Sequence, residues 1–177
     1  FARVCDMRKT PSGSVRDNGV VRAYTCSHLL DPMLSKRQFT LRAGQPGFGS
    51  DVGISGLTWS KGGEMLLVNF RGDDVYIFDA RQSSYRPTGG GHHFDGDECV
   101  DSARIVKSFA GRQNVETCAK EVRFLYDDQY VATGSDCGML CIWDVKTTKM
   151  LRRLPADRCV VNCVAPHPTL PLLVSSG

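Results

Sequence analysis

The stretch that decides the fold is Val122-Arg-Phe-Leu-Tyr-Asp-Asp-Gln-Tyr-Val-Ala-Thr-Gly-Ser-Asp-Cys-Gly-Met-Leu-Cys-Ile-Trp-Asp144. It holds three short apolar segments separated by Asp- and Gly-bearing turns, the pattern of consecutive β-strands rather than of a helix. A second stretch repeats it: Ile54-Ser-Gly-Leu57-Thr-Trp59, the turn Ser60-Lys-Gly-Gly63, the run Met65-Leu-Leu-Val68, the break Arg71-Gly-Asp-Asp74, and Val75-Tyr-Ile-Phe78-Asp79. The two are in register, because Trp59 to Asp79 and Phe124 to Asp144 both span 20 residues. A third unit opens at Val161-Asn-Cys-Val164-Ala-Pro166, where Val161, Val164 and Pro166 occupy the places of Ile54, Leu57 and Trp59. Phe124 to Pro166 is 42 residues, whereas Trp59 to Phe124 is 65, so an insertion of about 20 residues separates the first two units when judged against a period of ~40–45.

A repeat of that length, closing on Trp143-Asp144, resembles the WD repeat, and it implies an all-β fold, a β-propeller of WD repeats. Fourth strands are expected at Ile105–Phe109 and Lys149–Leu154, and each inner strand, buried on both faces, reads as a continuous apolar run. Ala2-Arg-Val-Cys5-Asp6 reads as a third strand whose first two are missing, with a fourth strand at Val20–Thr25. The expected organisation is two complete four-stranded blades plus two partial ones. Residues 1–50 hold the end of one blade and a long connecting loop. A complete blade follows over 51–110, with an insertion at 82–103, then a second over 111–157 and the start of a further one over 158–177. Both ends read as cuts through a longer protein, and a propeller of 4–8 blades implies that the piece does not fold well alone. The expected repeat-stabilising residues are Trp59, Phe124, Asp136, Trp143 and Asp144. Asp136 stands where such repeats place an Asp that pairs with the His of a Gly-His dipeptide. Here the dipeptide is Gly111-Arg112; Arg donates but cannot accept, so it cannot act as the neutral relay that His can, though an ion pair with Asp136 stays open to it.

Composition narrows the function classes. A formal charge of +3 over 177 residues calls for neither a nucleic-acid nor a membrane partner, and no apolar run reaches the ~18 residues of a membrane span. The basic residues Lys36-Arg37, Arg152-Arg153 and Arg158 are scattered among acidic ones and read as solvated rim charge. Eight cysteines, several inside apolar runs, suit small buried hydrophobes in a reducing compartment, so an intracellular location, nucleus or cytoplasm, is expected. Cys137-x₃-Cys141 and Cys159-x₃-Cys163 lack the two-residue spacing of zinc ribbons and read as core or turn cysteines. Gly89-Gly-Gly-His-His-Phe-Asp-Gly-Asp-Glu98 carries ligand-type side chains, but its composition reads as a solvated, mobile loop. The triple Gly lacks the Gly-Lys-Ser/Thr of a phosphate loop, no Gly-x-Ser-x-Gly elbow is present, and His167 has no acidic or nucleophilic neighbour. No catalytic residue, metal or cofactor is expected.

One pattern points to a partner. Phe78-Asp-Ala-Arg81 and Cys5-Asp-Met-Arg8 both place an Arg two residues past an Asp at the end of a third strand. The Asp-x-Arg box in consecutive blades resembles that of WD-repeat substrate receptors of cullin-4 ubiquitin ligases, which dock on the adaptor called damaged-DNA-binding protein one. Further stretches share the resemblance: Gly56-Leu-Thr-Trp-Ser60, Glu64-Met-Leu-Leu-Val-Asn69, Tyr76-Ile-Phe-Asp79, Gly134-Ser-Asp-Cys-Gly138, Val160-Val-Asn-Cys-Val164 and Pro166-His-Pro168. The resemblance covers roughly residues 51–81 and 105–177 and the first eight. It implies adaptor binding by Arg8 and Arg81 supported by Asp6 and Asp79, with a cullin-4 complex and protein substrates as partners. The third box departs from it, reading Trp143-Asp-Val-Lys146. The alternative is a WD-repeat platform assembling a chromatin or trafficking complex, in which the Asp-x-Arg pairs are structural.

Overall fold

The computed structural model describes residues 2–8, 20–29, 53–82, 105–117 and 120–177. The described chain is built from twelve strands and one short 3-10 turn, Ser27–Leu29. The strands are β1 Ala2–Cys5, β2 Val20–Tyr24, β3 Ile54–Trp59, β4 Met65–Phe70, β5 Val75–Asp79, β6 Ile105–Phe109, β7 Val122–Leu125, β8 Tyr130–Gly134, β9 Met139–Asp144, β10 Met150–Pro155, β11 Cys163–Pro166 and β12 Leu173–Ser176. They form two four-stranded antiparallel meanders, β3-β4-β5-β6 and β7-β8-β9-β10, between the two-stranded pairs β1-β2 and β11-β12. This is the architecture of β-propeller blades. The insertion expected at 82–103, from residue 83 onward, lies outside the described residues, as do the Gly/His/Asp-rich stretch 89–98 and Lys36-Arg37. Among the described residues no helix is long and apolar enough to cross a membrane.

Period-two alternation sends the two faces of each central strand to different neighbours. From β4 and β5, Leu66, Val68, Phe70, Tyr76 and Phe78 pack with Ala2, Tyr24 and Cys26 of the first pair. The opposite faces, Leu67, Val75 and Ile77, pack with Phe109, Val122, Val131, Cys141 and Trp143 of the next sheet. Ala132 and Leu140 then turn to Val161 and Val164. Because both faces are buried, β4 and β5 read as unbroken apolar runs, and the core is a row of seams between sheets. Glycine is required where two sheets meet most closely: a Cβ on Gly134, at the end of β8, would run into the Val161 carbonyl. In the following turn Gly138 takes φ +73°, which L side chains rarely adopt.

A polar belt ties the seams together at one end. The Asn69 side chain is fully buried; its Nδ2 donates to the Lys120 carbonyl (2.9 Å) and its Oδ1 accepts from Arg112 Nη2. The Arg112–Asp136 pair does not form. Arg112 turns back to the preceding sheet, to Asn69 and the Asp73 carbonyl (3.4 Å), while Lys120 takes Asp136 at 2.7 Å with both side chains buried. The reason is geometric: Lys120 sits two residues before β7 and reaches the turn after β8, while the Arg112 guanidinium is drawn into the seam below. There burial pushes its pKa down to about 10, which leaves it charged at neutral pH.

Candidate interaction rim

In an antiparallel meander, strands 1 and 3 end on the same edge of the sheet. β3 ends on Trp59 and β5 on Asp79, and Trp59, Leu66 and Phe78 lie in one row across the sheet. The first pair joins the same edge through Arg22. Arg22 faces Val4 in the β1–β2 register, and its guanidinium donates to the carbonyl of Ala80, the residue between Asp79 and Arg81. The Tyr24 hydroxyl donates to that same carbonyl at 2.8 Å. The two Asp-x-Arg boxes therefore stand side by side on one rim.

Their geometries are duplicates. Arg81 donates its backbone N–H (2.9 Å) and Nε (3.0 Å) to Asp79 Oδ1 and its Nη2 to Oδ2 (3.0 Å). Arg8 does the same to Asp6, each bond 3.0 Å. The Asp caps the turn that follows the strand and grips the guanidinium through two parallel bonds, a bidentate arrangement that fixes its plane. What the solvent meets is the cation: the Arg8 and Arg81 side chains are 91% and 71% exposed, their Asp partners 22% and 14%. The hydrogen bonds from Arg81 hold the Asp79 carboxyl below the usual carboxylate range, so the pair is ionised at neutral pH. Two of the five guanidinium donors are spent on the Asp, and the others remain for a partner.

The third box is built differently. Asp144 Oδ1 accepts from the Thr147 N–H (2.6 Å) and hydroxyl (2.8 Å), with Thr148 at φ +60°; the Lys146 backbone N–H also donates to the Asp144 carboxylate, while the residue itself is exposed. Lys has no planar fork with which to repeat the clamp. The rim thus carries two presented guanidinium groups in neighbouring sheets and a Lys in the next.

The other residues expected to stabilise the repeat separate into two groups. Trp143 is fully buried, and its Nε1 donates to the Ala110 carbonyl at 3.0 Å. Asp136 accepts from the N–H groups of Val115 (2.6 Å) and Glu116 (2.8 Å) and the Thr117 hydroxyl (2.9 Å). Burial pushes its carboxyl up, but Lys120 and these donors outweigh that and hold it below the usual range. Phe124 is half-buried against the second seam. Trp59, at the matching place, is 44% exposed on the rim. Cys141 is buried in the second seam while Cys159 and Cys163 are exposed, and among the described residues no three potential metal ligands come together.

Sequence reasoning missed Lys120 and His28. The signal for Lys120 was a cation two residues before an apolar strand and one repeat element away from Asp136. His28 Nε2 lies 2.7 Å from Asp73 Oδ2, and the Tyr76 hydroxyl donates to the same oxygen at 3.1 Å. His28 is thus the histidine that meets a turn aspartate, in the blade before the one where Gly111-Arg112 suggested looking for it.

Comparison with known proteins agrees with this architecture. The family model "WD domain, G-beta repeat" matches residues 103–144. The human and mouse proteins named DDB1- and CUL4-associated factor 6 are 46% identical over 69 residues, covering 39% of this chain and 8% of theirs. Human and mouse WD and tetratricopeptide repeats protein 1 is 40% identical over 70 residues, 39% of this chain and 10% of that one. Arabidopsis thaliana protein ALTERED SEED GERMINATION 2 is 32% identical over 97 residues, 54% of this chain and 11% of its own length. The match thus spans about a tenth of each relative. Fold and repeat coincide: the WD-repeat match runs from the strand β6 through β9, and the sheets of this chain have the architecture of β-propeller blades.

Proposed function

We propose that this chain is part of a protein-interaction scaffold that serves as substrate receptor of a cullin-4 ubiquitin ligase, docking on the adaptor DDB1 through Arg8 and Arg81. The observation that carries the reading is the duplicated clamp. Two guanidinium groups in neighbouring sheets are fixed in the same geometry by half-buried aspartates and presented on one edge. A rigid, oriented Arg costs little entropy to engage, and Arg is enriched among the residues that dominate binding energy. The complementary surface is acidic or rich in carbonyls. The resemblance to factors named for DDB1 and CUL4 supports DDB1 as the partner, and on this reading the role is non-catalytic and intracellular.

The test is co-purification of the intact protein with DDB1 and cullin-4, wild type beside the Arg8→Glu, Arg81→Glu double variant. The expected result is loss of both components with the fold retained by circular dichroism. A second reading is favoured by the clamp itself, since each Arg already bonds its own Asp; on that reading the pair serves only to fix the turn. In that case the blades form a platform for a non-ligase complex. Undiminished co-purification by the double variant, or a set of partners without cullin-4 components, selects it.

A further inference from the structure

Next to the clamps, at the inner end of the rim, the turns after β3, β7 and β11 enclose a hollow of about 340 Å³. Its apolar wall is Trp59, Phe124, Tyr126, Pro166 and Pro168. Trp59 and Tyr126 are 44% and 69% exposed, an unusual state for large aromatic side chains beside a close-packed seam. The turn that presents Tyr126 is strained. Tyr126, Asp127 and Asp128 have φ of 50°, 50° and 63°, three successive non-glycine residues in the left-handed region. Asp tolerates that region, but a bulky Tyr does so rarely. In the matching turn after β3, Ser60-Lys-Gly-Gly63, the position with φ +71° is a glycine. Lys61 locks the strained turn in place: its N–H donates to Asp128 Oδ2 (2.8 Å) and its Nζ to Asp127 Oδ1 (2.5 Å). Strain of this kind persists where the displayed surface is used.

The hollow opens on the same edge of the sheet as the Asp79–Arg81 clamp. Trp59 and Phe78 lie two strands apart in one row, about 10 Å by the spacing of strands, and Arg81 follows three residues after Phe78. Met7, between Asp6 and Arg8, adds a 97% exposed apolar side chain on the same edge. Four carboxylates of the rim are turned to their own partners, Asp6 and Asp79 to the clamp arginines and Asp127 and Asp128 to Lys61, while exposed Glu64, in the turn after β3, adds its charge toward Arg81. A partner therefore meets protruding guanidinium groups on the outside and an aromatic hollow on the inside.

We propose that Trp59 and Tyr126 form the apolar anchor of this docking face, receiving an aliphatic or aromatic side chain from the same acidic protein surface that Arg8 and Arg81 engage. The inference rests on the adaptor reading above and deepens it. Aromatic and Arg side chains are the residue types in which binding energy concentrates at an interface, and this edge presents both.

The test uses the intact protein and purified DDB1. Trp59→Ala and Tyr126→Ala are each expected to weaken affinity by roughly tenfold or more, with Trp59→Phe retaining most of it. Fluorotryptophan labelling of the wild-type protein gives a readout that needs no stable variant. With unlabelled DDB1 added, the fluorine resonance of Trp59 is expected to shift while that of the buried Trp143 stays. Wild-type affinity in both alanine variants, or a Trp59 resonance indifferent to DDB1, overturns the anchor even when the Arg8→Glu, Arg81→Glu variant has lost binding. Wild-type affinity in that charge-reversed variant overturns instead the adaptor reading on which the anchor rests.

Discussion

At the scale of single residues, two ion-pair designs serve opposite ends. The clamp arginines are exposed, and exposed ion pairs contribute little to stability, so their value lies in what they present. Lys120 and Asp136 are the reverse. Both side chains are buried, and Lys120 Nζ also reaches the Thr117 hydroxyl (2.6 Å) and Asn162 Oδ1 (3.2 Å), joining the second four-stranded sheet to the last pair. Removing one member of such a pair strands the other. Lys120→Met is expected to cost roughly 3 kcal/mol, the lower part of the range for broken buried pairs, because Asp136 keeps its backbone donors. Chemical denaturation of the intact protein measures it; a loss under about 1 kcal/mol would show the pair to be dispensable. The same carboxylates fix the acid response. Asp79, Asp136 and Asp144 all have depressed native pKa values. A depressed carboxylate stabilises fully above its unfolded pKa of ~3.9, and the contribution drains away as pH falls through the lower native value. Thermal midpoints are therefore expected to fall as the pH is lowered from 5 toward 3. A flat profile would contradict the assignment.

At the scale of elements, most of the strands were legible and some of the links between them were not. β4, β5, β8 and β9 announce themselves because burial on both faces demands unbroken apolar runs, and the equal Trp59–Asp79 and Phe124–Asp144 intervals fix their order. The fourth strands β6 and β10 were legible from position in the repeat alone, since half of their residues or more face solvent and carry no clean period. The Arg112–Asp136 pair does not form because the Arg112 guanidinium is drawn into the seam with the preceding sheet, which leaves Asp136 to Lys120. The Asp-x-Arg boxes could be read, whereas the strained Tyr126 turn could not, as nothing in Tyr-Asp-Asp signals a left-handed backbone. Close approach between sheets yields a further prediction. Gly134→Ala drives a methyl group into the Val161 carbonyl and should open the seam between β8 and the last pair, costing on the order of 2–3 kcal/mol, the range of overpacking. Hydrogen exchange is expected to quicken at Val161 and the strands β11 and β12 before it changes at β4 and β5. Uniform protection in the variant would mean that the seam yields without loss.

At the scale of the whole molecule, the blades act as a rigid frame whose one edge gathers what a partner can use. The antiparallel topology brings the ends of β3, β5, β7, β9 and β11 to one side, and the Arg22–Ala80 link brings the end of β1 there too. The edge exists because of the fold, and its chemistry comes from four side chains that the fold does not need for its core: Arg8, Arg81, Trp59 and Tyr126. Stability and binding are thereby separable, and charge reversal at the clamps should leave the thermal midpoint nearly unchanged. Titration calorimetry of the intact protein against purified DDB1, wild type beside Arg8→Glu, Arg81→Glu, tests the central claim most directly. The account predicts affinity at least roughly thirtyfold weaker in the variant, the equivalent of one interface hot spot of about 2 kcal/mol, with an unaltered melting curve. Equal affinity of the two proteins for DDB1 would contradict it.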